Sequence, residues 1–336
     1  MRHNAIYGAA SLALIGVTAL SGCSTVGSAG TSTGQSTSAL KIGGVVPTAS
    51  DPFFITLMCG ATHEAKAEGA TMDWRPTNNT STEDLQSNLN AVSLNDKTGI
   101  IISGTGDSSF NAKVQSLQQA GTPVVVVNAP IVPSVEYASF ISTTDNAAFA
   151  KYVADDIGNS GSVGVLGAIA GVPALASRYT PMVADLKRLA PRVTVLPVQY
   201  DNLDPTTAAS DTSALIAAHP DLKAIYAVSG PEGTGAAAAV AQAHKTGQIK
   251  IYTYDATPEI VQDLQQGTIR AALAQSPYEM GANAVKAIVA YAKDHKNQQP
   301  VSLDSGAGAT IPLKILTKAN VNAASSQAFE YQSTCG

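Results

Sequence analysis

The sequence predicts an α/β fold of two Rossmann-like lobes, each a parallel sheet clothed by helices. Three observations carry this. Apolar runs without polar alternation, such as Gly99-Ile100-Ile101-Ile102-Ser103 and Pro123-Val124-Val125-Val126-Val127-Asn128, read as strands covered on both faces. Segments of helical period lie between such runs. The strand–helix series restarts after Ser142, and two successive series of similar size imply two lobes.

Each element has its own signal. Leu40 to Val46 is a buried strand, and Ser50-Asp51-Pro52-Phe53-Phe54 follows it as a strand-to-helix turn. The helix it opens carries Phe54, Leu57, Met58, Ala61 and Ala65 at helical spacing. A capping box, Ser81-Thr82-Glu83-Asp84, starts a helix with Leu85, Leu89 and Val92 on one face. After strand Gly99–Ser103 come a helix from about Ser108 to Ala120, strand Pro123–Asn128, and a strand ending at Ile141-Ser142.

The second series opens at Asp145, a cap for a helix bearing Phe149, Tyr152, Val153 and Ile157 and ended by Gly158. Strand Val163–Leu166, a helix around Arg178 to Leu189 and strand Val193–Val198 follow. Asp204-Pro205 is an N-cap and first-turn pair for the next helix. Strand Ala224–Val228, an Ala-rich helix, strand Ile249–Tyr254, a helix ending at Gly267, strand Ile269–Ala274 and helix Tyr278–Lys293 continue the alternation. Val301–Leu303 and Ile311–Leu316 are the last strands expected. In open α/β sheets ligands sit at strand-to-helix turns. The carboxylate and two rings at Asp51, Phe53 and Phe54 are therefore a candidate site; the competing reading makes both rings ordinary core.

The chain begins with a leader. Arg2 supplies a positive start, and Ala5 to Leu20 is uncharged and too short to be assigned as a spanning helix. Leu20-Ser21-Gly22-Cys23 resembles a bacterial lipobox, which implies cleavage before Cys23 and its lipidation, anchoring the protein to the cell membrane outside the cytoplasm. Ser24 to Ala39 is Ser, Thr, Gly and Ala with one Val and one Gln, a flexible tether. Two further cysteines remain, Cys59 and Cys335. Disulfides persist in an exported protein, so a Cys59–Cys335 bond is expected to pin the tail to the first helix; the alternative is two free buried thiols.

Composition excludes several classes. Charged residues make up 13% of the 336, the net charge is −5, and no basic cluster occurs, which argues against nucleic acid as a partner. His63-Glu64-Ala65-Lys66-Ala67 lacks the second histidine of a zinc-protease helix, no cysteine pair has metal spacing, and no nucleophile elbow or phosphate loop is present. No metal or cofactor is implied. Gly233-Thr234-Gly235-Ala236-Ala237-Ala238 has the outline of a dinucleotide fingerprint, but Glu232 stands where pyrophosphate would sit.

The chain from about Leu40 to Val321 resembles the sugar-binding periplasmic proteins of ATP-driven importers, the ribose-binding cluster in particular. The matching stretches are Asp51-Pro52-Phe53-Phe54, Ile169-Ala170-Gly171 with Arg178 downstream, Ala218 to Ala227, Tyr254-Asp255-Ala256-Thr257-Pro258-Glu259, and Ala274-Gln275 ahead of Met280-Gly281. The resemblance implies that Phe53 and Phe54 flank a sugar ring, since a sugar's C–H face stacks on aromatics while its hydroxyls need hydrogen bonds. It implies that Asp51, Arg178, Asp255 and Gln275 bind hydroxyls, and that Tyr200 offers another aromatic. The family's remaining polar positions fall on Ser103, Asn128 and Ser229, with Ala129 and Gly230 in place of charged residues. This pocket has fewer charged and bidentate groups than a ribose site, so another pentose, a deoxysugar, a small polyol or a cyclitol is equally open.

The expectation is a lipoprotein, monomeric and not an enzyme, that captures a sugar or polyol between its lobes and delivers it to an ABC permease and its ATPase. The alternatives are a ligand-sensing receptor component built on the same clamp and a nucleotide-dependent enzyme using the Gly233 loop. A sugar-responsive repressor would need a DNA-binding motif where this chain has its leader. The expected organisation is a signal peptide over 1–22, a tether over 23–39, a first lobe over 40–142 and 276–309, a second over 143–275 and 310–322, and a tail over 323–336 returning to the first lobe. Three hinge crossings are expected, near Ser142 to Asp145, at Gln275-Ser276, and at Ala309 to Ile311.

Overall fold

Two six-stranded sheets divide the chain. The computed structural model describes residues 40–79, 81–142, 146–294, 300–301 and 308–335. The leader, the lipobox with Cys23, the tether and the Asp145 cap lie outside them. The first series comprises β1 (Leu40–Val45), α1 (Pro52–Ala67), β2 (Ala70–Trp74), α2 (Thr82–Ser93), β3 (Gly99–Ser103), α3 (Asn111–Gln119), β4 (Val124–Asn128) and β5 (Ala138–Ser142). The second comprises α4 (Ala147–Ile157), β6 (Gly161–Leu166), α5 (Pro173–Leu189), β7 (Val193–Gln199), α6 (Pro205–Ala218), β8 (Leu222–Ala227), α7 (Gly230–Gln242), β9 (Lys250–Tyr254), α8 (Pro258–Gln266) and β10 (Ala271–Ala274). Then come α9 (Pro277–Asp294), β11 (Ala309–Ile311) and β12 (Lys314–Thr317).

The sheets repeat one topology. Their orders are β11-β5-β4-β3-β1-β2 and β12-β10-β9-β8-β6-β7. Every adjacent pair is parallel except β10 with β12, which is antiparallel. The two lobes of the sequence reading are therefore present, with one antiparallel edge in the second. Apolar clusters cover both faces of each sheet: Ile101, Val125 and Val127 pack towards α1 and α9, and Ile100, Ile102 and Val126 towards α2 and α3.

Caps set the helix starts. Asp51 Oδ1 accepts from the Phe53 amide with Pro52 in the first turn, Ser81 accepts from Asp84, and Asp204 accepts from Thr207. Gly267 ends α8 with φ +88°, the left-handed conformation that closes a helix without a Cβ clash. Several elements differ from expectation. β2 was not anticipated. α5 begins at Pro173, which places Arg178 inside the helix, and α3 begins only at Asn111 because Asp107 first holds a turn through the Ser109 amide. The expected strand Ile311–Leu316 is two strands in different sheets, broken at Pro312-Leu313. Val301 lies in no strand; Ser302 and Leu303 fall outside the described residues.

The chain passes between the sheets after β5, between β10 and α9, and between β11 and β12. A fourth passage follows. The 3-10 turn Ala324–Phe329 brings Phe329 against the second lobe's core, while Tyr331 is buried in the first lobe's. Cys59 in α1 and Cys335 form the expected disulfide.

Candidate functional site

Parallel sheets of this kind direct the carboxyl ends of their strands toward one crevice. In each lobe a left-handed polar residue stands at the end of the strand next but one to the first: Asn128, the last residue of β4, at φ +69°, and Asp255, just after β9, at φ +70°. Asn and Asp are the side chains that tolerate this region best, and such conformations concentrate at binding sites.

Asp255 is the centre of the polar network. It is 8% exposed. Its Oδ1 accepts from Gln275 Nε2 at 2.9 Å and from the Tyr331 hydroxyl at 2.9 Å, and its Oδ2 faces Arg178 Nη1 at 3.3 Å. Arg178 also donates to the Val228 carbonyl at 2.8 Å, and its guanidinium lies 4.7 Å from the Tyr254 ring centroid. Burial opposes the charge on Arg178, but Asp255 and the surrounding tyrosines raise its pKa overall. It therefore stays cationic, as a buried charge must when it is paired. The Arg178 carbonyl accepts from Asn146 Nδ2 and the Tyr226 hydroxyl, which fixes this turn of α5.

Gln275 ties the lobes together. Its Oε1 accepts from the Ser142 hydroxyl at 2.9 Å while its amide nitrogen serves Asp255. Asn128, Ser142, Arg178, Tyr254 and Gln275 line a cavity of about 40 Å³, with the small side chains of Ala174 and Ser177 on one wall. That is well below the roughly 300–1,000 Å³ of ordinary small-molecule sites.

Asp51 belongs to the same electrostatic neighbourhood. Burial pushes its carboxyl up to about 6 against the Phe53 amide; Asp255 adds to the rise and Arg178 opposes it. Ser103 accepts from Asn128 Nδ2 at 3.3 Å and supports it from β3.

Other expected positions are placed differently. Phe53 and Phe54 are 5% and 7% exposed, meet edge-to-face, and belong to the first lobe's core. The Ser229 hydroxyl donates to Glu232, so it is engaged inside the second lobe. Tyr200 is 41% exposed, meets the Tyr179 hydroxyl at 3.2 Å, and does not line the cavity. The glycines of the dinucleotide-like outline are packing glycines: a Cβ on Gly233 would lie 2.5 Å from Thr253 Oγ1, and one on Gly235 2.4 Å from the Pro205 carbonyl.

Sequence reasoning missed Tyr331, Asn146 and Ser142 as parts of this network. Asn146 accepts from the Tyr254 hydroxyl at 2.6 Å, which holds that ring beneath Arg178. Burial, the largest influence, pushes the Tyr254 phenol up to about 12, so it remains a donor.

A family model described as periplasmic binding protein domain matches residues 42–297. The ribose import binding protein of Escherichia coli strain K12 is 27% identical over 267 residues, covering 77% of this chain and 87% of its own length. The D-allose-binding periplasmic protein of the same strain is 27% identical over 266 residues, covering 75% and 84%. Among solved structures, an ABC transporter solute-binding protein from Agrobacterium vitis bound with α-D-tagatopyranose aligns with a TM-score of 0.75 at 26% identity, covering 87% of this chain and 99% of that one. With a family model spanning most of the two-lobed body, the chain belongs to the periplasmic binding protein family, whose members act outside the cytoplasm.

Proposed function

We propose that the protein captures a sugar or polyol between its lobes and delivers it to an ABC importer. The observation that carries this is the meeting of Arg178 and Gln275, both bonded to Asp255 behind them, with Asn128 and Ser142 around one small cavity between the two sheets. A planar guanidinium, a carboxylate and two amides match the donor and acceptor pairs of adjacent hydroxyls. Nothing in this arrangement needs covalent chemistry. The names of the relatives, which bind ribose and allose, and the tagatose-bound neighbour support a sugar of five or six carbons.

The lobes of this reading are 40–142 with 276–309 and 143–275 with 310–322, and closure bends the segments that join them. Asp51, Asn128, Arg178, Asp255 and Gln275 contact the ligand, Ser103 supports Asn128, and Phe53 and Phe54 back the site. The working protein is a monomer lipidated at Cys23, with a permease and an ATPase as partners. A sensing role would use the same clamp.

The test is a thermal-shift and calorimetric screen against pentoses, hexoses, polyols, cyclitols and nucleotides. A ligand that binds only the native state raises the melting temperature. A hit in one sugar or polyol class, abolished by Arg178→Lys, supports the reading. A response confined to nucleotides overturns it.

A further inference from the structure

We propose that the C-terminal tail is part of the ligand site: Tyr331, held between the lobes by the Cys59–Cys335 disulfide, is a positioning residue that aims the Asp255 carboxylate and so sets affinity for the ring. This rests on the sugar-binding reading of that site.

Tyr331 is 5% exposed although residues 332–335 around its exit are exposed. Its ring meets Phe53 edge-to-face at 5.6 Å, on the first-lobe side, while its hydroxyl donates to Asp255 Oδ1 on the second-lobe side. The backbone is divided in the same way. The Tyr331 amide donates to the Ala256 carbonyl at 2.9 Å, and the Gln332 amide donates to Thr56 Oγ1 at 2.6 Å. One residue thus joins both lobes beside the polar network.

The carboxylate explains why this matters. Asp255 Oδ1 is shared by Gln275 and Tyr331, while Oδ2 faces Arg178. With two donors on one oxygen and Arg178 on the other, the carboxylate cannot swing about its Cα–Cβ bond, and the one acceptor site left, on Oδ2, keeps a fixed direction for a ligand hydroxyl. Burial, foremost, and the neighbouring Asp255 charge hold the Tyr331 phenol well above its ordinary pKa, so it stays a donor at any pH the protein meets.

The disulfide supplies what the tail's own contacts lack. Exposed chain ends fray unless tied down. Beyond Tyr331 the tail is exposed up to Cys335, whose bond to the α1 residue Cys59 closes a separation of 276 residues. Cutting it leaves Tyr331 held by its buried ring on Phe53, its amide and phenol bonds, and the Gln332 amide bond to Thr56, with nothing tying down the exposed stretch beyond.

Calorimetric titration of the full-length protein with D-ribose, D-allose, D-tagatose and myo-inositol tests this, alongside Tyr331→Phe, Cys335→Ser and the double variant. Tyr331→Phe keeps the ring on Phe53 and removes only the hydroxyl. The expected result is a Kd weakened about tenfold, the scale of one hydrogen bond to a charged group. Cys335→Ser should weaken binding by a similar factor, and the double variant should bind no more weakly than the weaker single one, because both changes act through one contact. A Tyr331→Phe variant with unchanged Kd overturns the proposal and leaves the sugar reading standing. A wild type that binds nothing in the panel overturns both. Fully additive losses in the double variant separate the disulfide from Tyr331 and sink the coupling.

Discussion

Asn128 and Asp255 hold equivalent positions in the two lobes: each stands at the carboxyl end of the third strand from the same edge of its sheet, and each has a left-handed backbone, at φ +69° and +70°. The repeated topology thus delivers an amide from one lobe and a carboxylate from the other to the same crevice. The conformation is strained for most side chains, by roughly 1–3 kcal/mol. Asn at position 255 retains the shape and tolerates the conformation, whereas Ala does neither. Asp255→Ala should therefore be less stable than Asp255→Asn by about 1 kcal/mol or more, measured by urea unfolding, while both lose ligand affinity. Equal stabilities would show that the backbone here is unstrained.

Arg178 serves the fold as well as the proposed ligand site. Its side chain is mostly withdrawn from solvent against Asp255, and removing one member of such a pair leaves an uncompensated charge, at a cost of up to about 3–5 kcal/mol. Arg178→Ala should lower both affinity and stability. Arg178→Lys keeps the charge but loses the fork and the flat face on Tyr254. It should abolish binding with a much smaller fall in melting temperature. Loss of binding in Lys with stability as poor as in Ala would mean that the guanidinium's geometry, not its charge, holds the second lobe.

Phe53 and Phe54 are core residues first. Each is nearly fully buried, and Phe53 also supports Tyr331. Truncating a buried Phe costs roughly 3–5 kcal/mol. Phe53→Ala should destabilise on that scale in the absence of any ligand, checked by unfolding of the unliganded protein. A variant as stable as wild type would place the ring in the cleft, not in the core.

What was legible from sequence is local. The strand from Leu40, the Asp51-Pro52 cap and the helix after it lie within a few turns of one another, so spacing and capping reveal them. Arg178, Asp255 and Gln275 were found through resemblance, and the structure joins them by hydrogen bonds. β2 was missed because Ala70-Thr71-Met72-Asp73-Trp74 is an edge strand, half-buried, without the continuous apolar run of the central strands. Ile311–Leu316 reads as one strand because apolar residues flank Pro312, yet the two halves pair in different sheets. Ser229 carried a readable signal: Glu232 stands three residues on, the spacing of a capping box, and that acid takes its hydroxyl. Tyr331 carried none, since its partners Asp255 and Phe53 are remote in sequence and only the closed tail brings them together.

Glu232 gives a pH dependence of opposite sign to that of an ordinary salt-bridged acid. It is fully buried in the first turn of α7, and Asp201 nearby is 1% exposed. Glu232 Oε1 and Asp201 Oδ2 have no other hydrogen-bond partner among the described residues. Two carboxylates in such a site cannot both ionise. Burial above all, with the Asp201 charge, pushes Glu232 up to about 8 against the favourable Ser229 hydroxyl. The native protein therefore keeps a proton that the unfolded chain releases near the ordinary glutamate value of about 4.3. The stabilisation is complete below that value and is lost as pH rises through about 8, because the native state binds more protons across the window. Urea unfolding should show stability falling between pH 5 and 9. Glu232→Gln retains an acceptor for Ser229 and offers Asp201 an amide donor without titrating, so it should flatten the profile. A wild-type profile that rises over this range, or a Gln variant with the wild-type slope, would place the proton elsewhere.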